Sequence, residues 1–212
     1  MHTNKKATVL LIELLLNKGV CDFIISPGSR NAPIINELQY RDNVNLYSIS
    51  DERSAGFVAI GMYQKTRKPV ALICTSGSAL LNYAPAVSES FYQEMPLVVI
   101  SADRPHYWID QGEGQTIRQR GSLRNFVRAE YNIALDEEIE SYESMYNELN
   151  SALIELAIGP IHINVEYNEP LYLSTEENNV IPSLIEKEVD NALEVDYLNF
   201  QKKVSASKKL MI

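Results

Sequence analysis

A chain of 212 residues, 45% hydrophobic and 22% charged, is long enough to bury a full α/β domain with an appendage, which excludes global disorder. Its formal net charge of −9 argues against non-specific nucleic-acid binding, yet leaves anionic ligands open because a site needs only local positive charge. Two cysteines without CxxC spacing, Cys21 and Cys74, exclude a disulfide framework and read as buried thiols of a reducing compartment.

The basic start Met1-His2-Thr3-Asn4-Lys5-Lys6 leads into an apolar run interrupted by Glu13. That run falls short of the roughly 18 apolar residues of a membrane span and carries no cleavage site, so a cytoplasmic protein is expected. Leu11, Leu14 and Leu15 predict a helix over 8–17, stopped by Gly19. A short apolar strand over 20–25 is broken by Ser26-Pro27-Gly28-Ser29-Arg30, and a second helix follows near 32–40. Strand over 44–49, helix over 52–65, strand over 69–74, helix over 79–92 and strand over 96–101 continue the alternation. A polar stretch over 103–121 has no clear period and is longer than an ordinary connection, as functional loops often are. A weak strand near 128–134, a helix over 139–157 and a strand over 161–165 complete the series. Six strands, apolar on both faces and alternating with helices, predict an α/β domain with a parallel sheet covered on both sides, a three-layer α/β/α arrangement.

From Ser174 onward the composition turns acidic and polar, which predicts a domain over 1–173 and a linker or extension over 174–212. The chain stops at Lys208-Lys209-Leu210-Met211-Ile212, which reads as the opening of another strand and suggests a piece of a longer polypeptide leading into a further domain.

In open parallel sheets, ligands sit beyond the carboxyl ends of the strands. Four polar motifs fall at such ends: Ser26-Pro27-Gly28-Ser29-Arg30, Ser50-Asp51-Glu52-Arg53, Thr75-Ser76-Gly77-Ser78 and Ser101-Ala102-Asp103-Arg104-Pro105. Each alone has a structural explanation. Pro27-Gly28 makes a turn, Ser29 or Asn31 can cap the next helix, Glu52 suits a helix start, and Thr75 to Ser78 can be a cap or an anion-binding nest. Four of them along one edge point to a site. The first strand is not followed by GxGxxG, and no Walker A motif is present, so a nucleotide-binding reading lacks its phosphate loop. His2, His106 and His162 have no metal spacing, and His162 alternates within a strand as a core or edge residue does.

These runs carry a resemblance. Ile25 to Pro33, Asp51-Glu52-Arg53 with Ala59-Ile60-Gly61, Cys74 to Ala79, Asn82 to Ala86, Ser101 to Pro105 and Gly112 to Gln119 are, in order, similar to the family of 2-succinyl-5-enolpyruvyl-6-hydroxy-3-cyclohexene-1-carboxylate (SEPHCHC) synthases of menaquinone biosynthesis. The match runs over about 5–173. Glutamate after the second strand and a Thr-Ser-Gly turn after the third are shared with other thiamine-diphosphate enzymes; Pro-Gly-Ser-Arg, Ala-Asp-Arg-Pro and Gln-Thr-Ile-Arg-Gln are more particular to this one. The family often has Asn where Gly114 stands, so no side-chain contact is carried over there.

The resemblance implies the pyrimidine-binding domain of a transferase that decarboxylates 2-oxoglutarate and adds the succinyl-semialdehyde unit to isochorismate. It implies thiamine diphosphate with Mg2+ or Mn2+, both completed by a second domain whose Gly-Asp-Gly element is not in this sequence, and a homo-oligomer, dimer or tetramer. Glu52 would be the catalytic carboxylate against N1′ of the aminopyrimidine, with Thr75, Ser76, Gly77 and Ser78 on the cofactor. Ser29, Arg30, Arg104 and Gln115 would contact isochorismate or the intermediate, since planar guanidinium suits carboxylate bidentately. Arg118, Arg120, Arg124 and Arg128 enrich the same region; Arg124 and Arg128 read as a solvated face or a partner surface. Three other readings stand beside this one. Another thiamine-diphosphate carboligase or decarboxylase, such as an acetolactate synthase relative, would keep the role of Glu52 but not those of Arg30 and Arg104. A flavodoxin-like nucleotide-binding module would use neither, and an interaction module would use the helix over 79–92 as a subunit surface.

Overall fold

The computed structural model describes residues 2–175, so the acidic segment beyond Thr175, expected as a linker, lies outside the described residues. A two-residue strand β1 (His2–Thr3) opens the chain, followed by α1 (Lys6–Asn17) and β2 (Asp22–Ile25). Then come α2 (Ala32–Gln39), β3 (Asn45–Ser48), α3 (Glu52–Thr66) and β4 (Val70–Cys74). The second half adds α4 (Ala79–Asn82), α5 (Ala84–Tyr92), β5 (Leu97–Asp103), β6 (Ala129–Ile133), α6 (Tyr142–Ile154), β7 (Ile161–Glu166) and β8 (Ser174–Thr175).

The six long strands form one parallel sheet in the order β3-β2-β4-β5-β7-β6. Strands β2, β4, β5 and β7 are buried along their whole length, as the continuous apolar runs require of a doubly covered sheet. Successive side chains alternate between faces. Ile24, Leu72, Cys74, Leu97 and Val99 pack with Ala55, Ala59, Leu80 and Val87 of α3, α4 and α5 and with Tyr83. On the other side, α1 packs against α2 and α6. The expected three-layer α/β/α arrangement is thus present.

Some expectations need correction. Strand β3 is exposed at all four residues, because it is the outermost strand and not a doubly covered one. The single helix predicted over 79–92 is two, α4 and α5, with Tyr83 between them. Pro85 is the cause: it has no N–H to donate back and its ring crowds the carbonyl four residues earlier. Likewise the helix predicted over 139–157 is α6 followed by a 3-10 turn over Glu155–Ile158, and β5 runs two residues further than expected, taking Asp103 into the sheet. The small antiparallel pair of β1 with β8 was not anticipated. Of the two thiols, Cys74 is buried but Cys21 is partly exposed. Among the described residues no helix is long and apolar enough to cross a membrane.

The chain leaves β2 for β3 on one side and returns to β4 on the other. Their paired ends therefore form the topological switch point of the sheet. Ile25 stands beside Ile73, so the Ser26–Asn31 loop and the Thr75–Ser78 turn begin next to each other.

Candidate active site at the carboxyl edge of the sheet

The loop after β2 is held from within. Asn31, fully buried, accepts from the Gly28 N–H (3.0 Å) and donates to the Ser26 carbonyl (2.9 Å). It therefore braces the loop behind it and does not cap α2, which carries no side-chain cap bond. Ser26 donates to the Ile49 carbonyl (2.8 Å), tying the loop to the end of β3. Gly28 lies so close to Thr75 that a Cβ there would meet the Thr75 Cβ at 2.4 Å. Absence of a side chain, not freedom of φ, is what this glycine supplies. Ser29 is exposed and faces a cleft of about 430 Å³ shared with Ala32, Ile35 and Tyr172.

Arg30 turns inward. It is buried, donates to the Tyr167 carbonyl (2.9 Å) and faces Glu169 at 3.2 Å. Burial, then the charge of Arg104, hold its guanidinium below the ordinary arginine value, although Glu169 and Asp103 oppose the shift. Arg30 and Arg104 stand at the carboxyl ends of β2 and β5, and the charge of one acts on the other. Arg104 reaches Glu113 only at 3.8 Å, and its buried Nε has no hydrogen-bond partner. Since a buried donor left unmade costs about 1–3 kcal/mol, this atom calls for an acceptor. Asp103, fully buried, accepts from the Arg104 backbone N–H (2.8 Å) and from Asn164 Nδ2 (2.9 Å). Burial pushes its carboxyl up to about 6 despite the Asn164 hydrogen bond and the nearby arginines.

Glu52 opens α3, half-exposed, and its carboxylate accepts from Asn82 Nδ2 at 3.2 Å. The cap of α3 is a different residue: Asp51 Oδ1 accepts from the Ser54 N–H (2.8 Å). Glu52 is thus not the side-chain cap, although it lies in the first turn, where the helix dipole favours an acid. Behind it lie Cys74 and Tyr83, both buried and both pushed up, chiefly by desolvation. Tyr83 donates toward Ser26 Oγ and the Ile73 carbonyl, each at 3.1 Å.

In the Thr75–Ser78 turn, Ser76 is buried, Ser78 is exposed, and Gly77 takes φ +85° under the Gln115 backbone. A Cβ at Gly77 would lie 3.1 Å from the Gln115 carbonyl oxygen, so the turn and the 103–121 loop are in close apposition. The Gln115 side chain itself is exposed, with its backbone in the left-handed region at φ 54°. Together, the carboxyl edge carries a half-exposed carboxylate, a tight turn and two neighbouring arginines.

Sequence reasoning missed the polar interior behind this edge. Gln119, fully buried, accepts from the Gly77 N–H (2.7 Å) and donates to the Ala102 carbonyl (3.2 Å) and Asn164 Oδ1 (2.8 Å). Ser101 donates to Asn164 Oδ1 (2.7 Å) and meets His162 Nε2 at 2.8 Å. His162 is a core residue satisfied at one nitrogen only: Nδ1 faces Glu130 at 3.6 Å without a hydrogen bond. Arg120 pairs with Glu166 and Arg118 with Asp110. Arg128 is not part of a solvated face, since it lies over the Phe91 ring at 4.1 Å and donates to the Ile158 carbonyl (3.0 Å). His106, Glu138 and Glu166 present ligand atoms within 4.8 Å of one another, but Arg120 already neutralises Glu166.

Comparison with known proteins agrees with this geometry. Residues 5–122 match the family model described as the thiamine pyrophosphate enzyme, N-terminal TPP binding domain. The chain is 47% identical over 174 residues to the 2-succinyl-5-enolpyruvyl-6-hydroxy-3-cyclohexene-1-carboxylate synthase of Flavobacterium johnsoniae, covering 82% of this chain and 31% of that protein. The synthase of Porphyromonas gingivalis is 46% identical over 178 residues (81% and 30%), and that of Cytophaga hutchinsonii 40% identical over 206 residues (94% and 37%). The chain spans about a third of the length of the curated relatives it matches. With its parallel sheet and a match over more than half its length, the chain belongs to the thiamine pyrophosphate enzyme family as an N-terminal TPP-binding domain.

Proposed function

We propose that this chain is the pyrimidine-binding part of a SEPHCHC synthase, which joins the four-carbon unit left by decarboxylation of 2-oxoglutarate to isochorismate. The observation that carries the reading is the buried Arg104 Nε lacking an acceptor, at the same carboxyl edge of the sheet as Arg30. Both substrates are dicarboxylates, and two guanidiniums in a partly desolvated crevice are suited to such groups. The relatives named for this reaction, at 40–47% identity, support it independently.

In this reading Glu52 meets the aminopyrimidine, where a carboxylate holds a proton at the ring nitrogen N1′. Asn82 fixes the orientation of that carboxylate through its 3.2 Å hydrogen bond. The backbone of Thr75, Ser76, Gly77 and Ser78 borders the cofactor, and Gly77, with no side chain, lets that turn pack against the Gln115 backbone. Ser29, Arg30, Arg104 and Gln115 receive the carboxylates and hydroxyl of isochorismate. Bound thiamine diphosphate would supply the electron sink for decarboxylation. Its diphosphate and a Mg2+ or Mn2+ ion would be held by a domain following the acidic segment, and the working protein would be a cytoplasmic homo-oligomer of dimer or tetramer size. The domain boundary near residue 173 belongs to the same proposal.

Glu52→Gln in the complete synthase tests it. Because Asp51 caps α3, the melting temperature should stay within a few degrees, while SEPHCHC formation falls about 10²–10⁴-fold, the scale for a positioned acid–base group. Wild-type activity in the variant, or a wild-type enzyme that makes no SEPHCHC from the two substrates, would refute the assignment.

A further inference from the structure

We propose that Gln119 is a positioning residue that locks the Thr75–Ser78 turn to the strand end carrying Arg104. The geometry of the lock stands by itself; its consequence for substrate binding rests on the synthase reading above. Gln119 is fully buried, and its amide accepts once through Oε1 and donates twice through Nε2. Two backbone groups dictate its orientation: the Gly77 N–H can only donate, so it must find Oε1, and the Ala102 carbonyl can only accept, so it must find Nε2. No flip of the side chain satisfies both.

That orientation then propagates. The Gln119 amide donates to Asn164 Oδ1, which obliges Asn164 Nδ2 to donate to Asp103 Oδ2. The other Asp103 oxygen accepts from the Arg104 N–H, so the chain of bonds runs from Gly77 through Gln119, Asn164 and Asp103 to the backbone of Arg104. The same logic settles the far end. Ser101 gives its only hydroxyl proton to Asn164 Oδ1, so it must accept from His162 Nε2. The Gln119 amide has both its N–H groups committed and its oxygen engaged, and hydrogen bonds linked in series in this way hold their members in one arrangement. Gly77 has no side chain to hold it and leaves room for the Gln115 backbone beside it, so the Gln119 bond to its N–H is what ties the cofactor-side turn to the substrate-side loop.

Gln119→Met retains length and buries no new charge while removing both the acceptor and the donor. In the 15N-labelled 212-residue chain, the Gly77 amide should exchange with solvent at least about tenfold faster in this variant, the scale of losing one buried hydrogen bond, while Leu72 in β4 is unchanged. Equal Gly77 protection in the two proteins would overturn the proposal. If the variant does not fold, a scalar coupling across the hydrogen bond from Gly77 N to Gln119 Cδ in the wild type decides instead; its absence overturns the lock and its presence supports it. In the complete synthase, Gln119→Met should raise KM for isochorismate about tenfold or more and leave the rate of 2-oxoglutarate decarboxylation within about threefold. Parallel loss of both steps with a lower melting temperature would make Gln119 merely structural. A wild-type enzyme that forms no SEPHCHC would sink the synthase reading, and the Gly77 exchange measurement would still decide the lock.

Discussion

Replacing Gly28 by alanine puts the apposition of the two switch-point loops to a direct test. The added Cβ would stand 2.4 Å from the Thr75 Cβ, 2.7 Å from Oγ1 and 2.8 Å from Cγ2. Carbon atoms rest at about 3.5–4.0 Å, so the nearest contact is short by more than about 1 Å. Rotation of the Thr75 side chain can move Oγ1 and Cγ2 but not Cβ, which is attached to the main chain. One loop must shift, and the Gly28 N–H bond to Asn31 and the Ser26 N–H bond to the Ile73 carbonyl (2.8 Å) resist that shift. Overpacking of this type costs about 1–3 kcal/mol, and the rigid anchor places Gly28→Ala at the upper end or beyond. Urea unfolding with an unchanged m-value reads the loss as a fall in midpoint. The decisive comparison is a pair of double variants. Thr75→Ala keeps the offending Cβ and should rescue little, whereas Thr75→Gly removes it and should recover most of the coupling. Rescue by Thr75→Ala as complete as by Thr75→Gly, or no loss in Gly28→Ala, would refute the reasoning.

Two further outcomes follow from the buried polar groups. Asp103, whose carboxyl burial pushes up to about 6, retains its proton in the native state where an unfolded aspartate near 3.9 has lost it. Its contribution to stability is therefore fullest below about pH 4 and is lost as pH rises through about 6, by about 3 kcal/mol in all. A 13C titration of the Asp103 carboxyl should show a midpoint near 6, and one at or below about 4 would mean that the hydrogen bonds and arginines outweigh burial. Tyr83→Phe removes a donor whose two acceptors retain other business: the Ile73 carbonyl still accepts from the Ser26 N–H, and Ser26 Oγ still donates to the Ile49 carbonyl. The loss should be about 1 kcal/mol by thermal unfolding, and a loss above about 3 kcal/mol would show that the hydroxyl organises more of the edge than its own bonds.

Much of the fold was legible because its strands are apolar over their full length and are separated by helix-length segments. All six sheet strands were expected within a residue or two of where they lie. What failed were statements about position in the sheet. Nothing in Asn45-Leu46-Tyr47-Ser48 announces an outermost strand, since exposure is decided by which neighbour the chain returns to pair with, and that is a tertiary fact. The break at Tyr83 was readable in principle. Pro85 can begin a helix but cannot continue one, so the apolar period running through it concealed a boundary that the proline alone would have marked.

The candidate site divides in the same way. Its outward-facing residues were legible as motifs at strand ends, but Gln119 was not, because a glutamine in a polar loop offers no local sign that it is buried. A signal for the interior existed nevertheless. Ser101 and Asp103 on β5, and His162, Asn164 and Glu166 on β7, recur at a spacing of two within otherwise apolar strands. A spacing of two places them on one face, and parallel pairing sets Ser101 beside Asn164 and Asp103 beside Glu166. Five polar side chains on the buried face of two central strands must find partners, since an unpaired buried group costs about 1–3 kcal/mol. Partners also come from the following loop, whose Gln119 donates to Asn164 Oδ1 and to the Ala102 carbonyl. A side chain that meets those two acceptors and the Gly77 N–H at once needs both a donor and an acceptor. The amides of Gln111, Gln115 and Gln119 and the hydroxyls of Tyr107 and Thr116 all carry both, so the stripe of polar residues in the strands announces a partner from the loop without naming it, and the structure gives that place to Gln119.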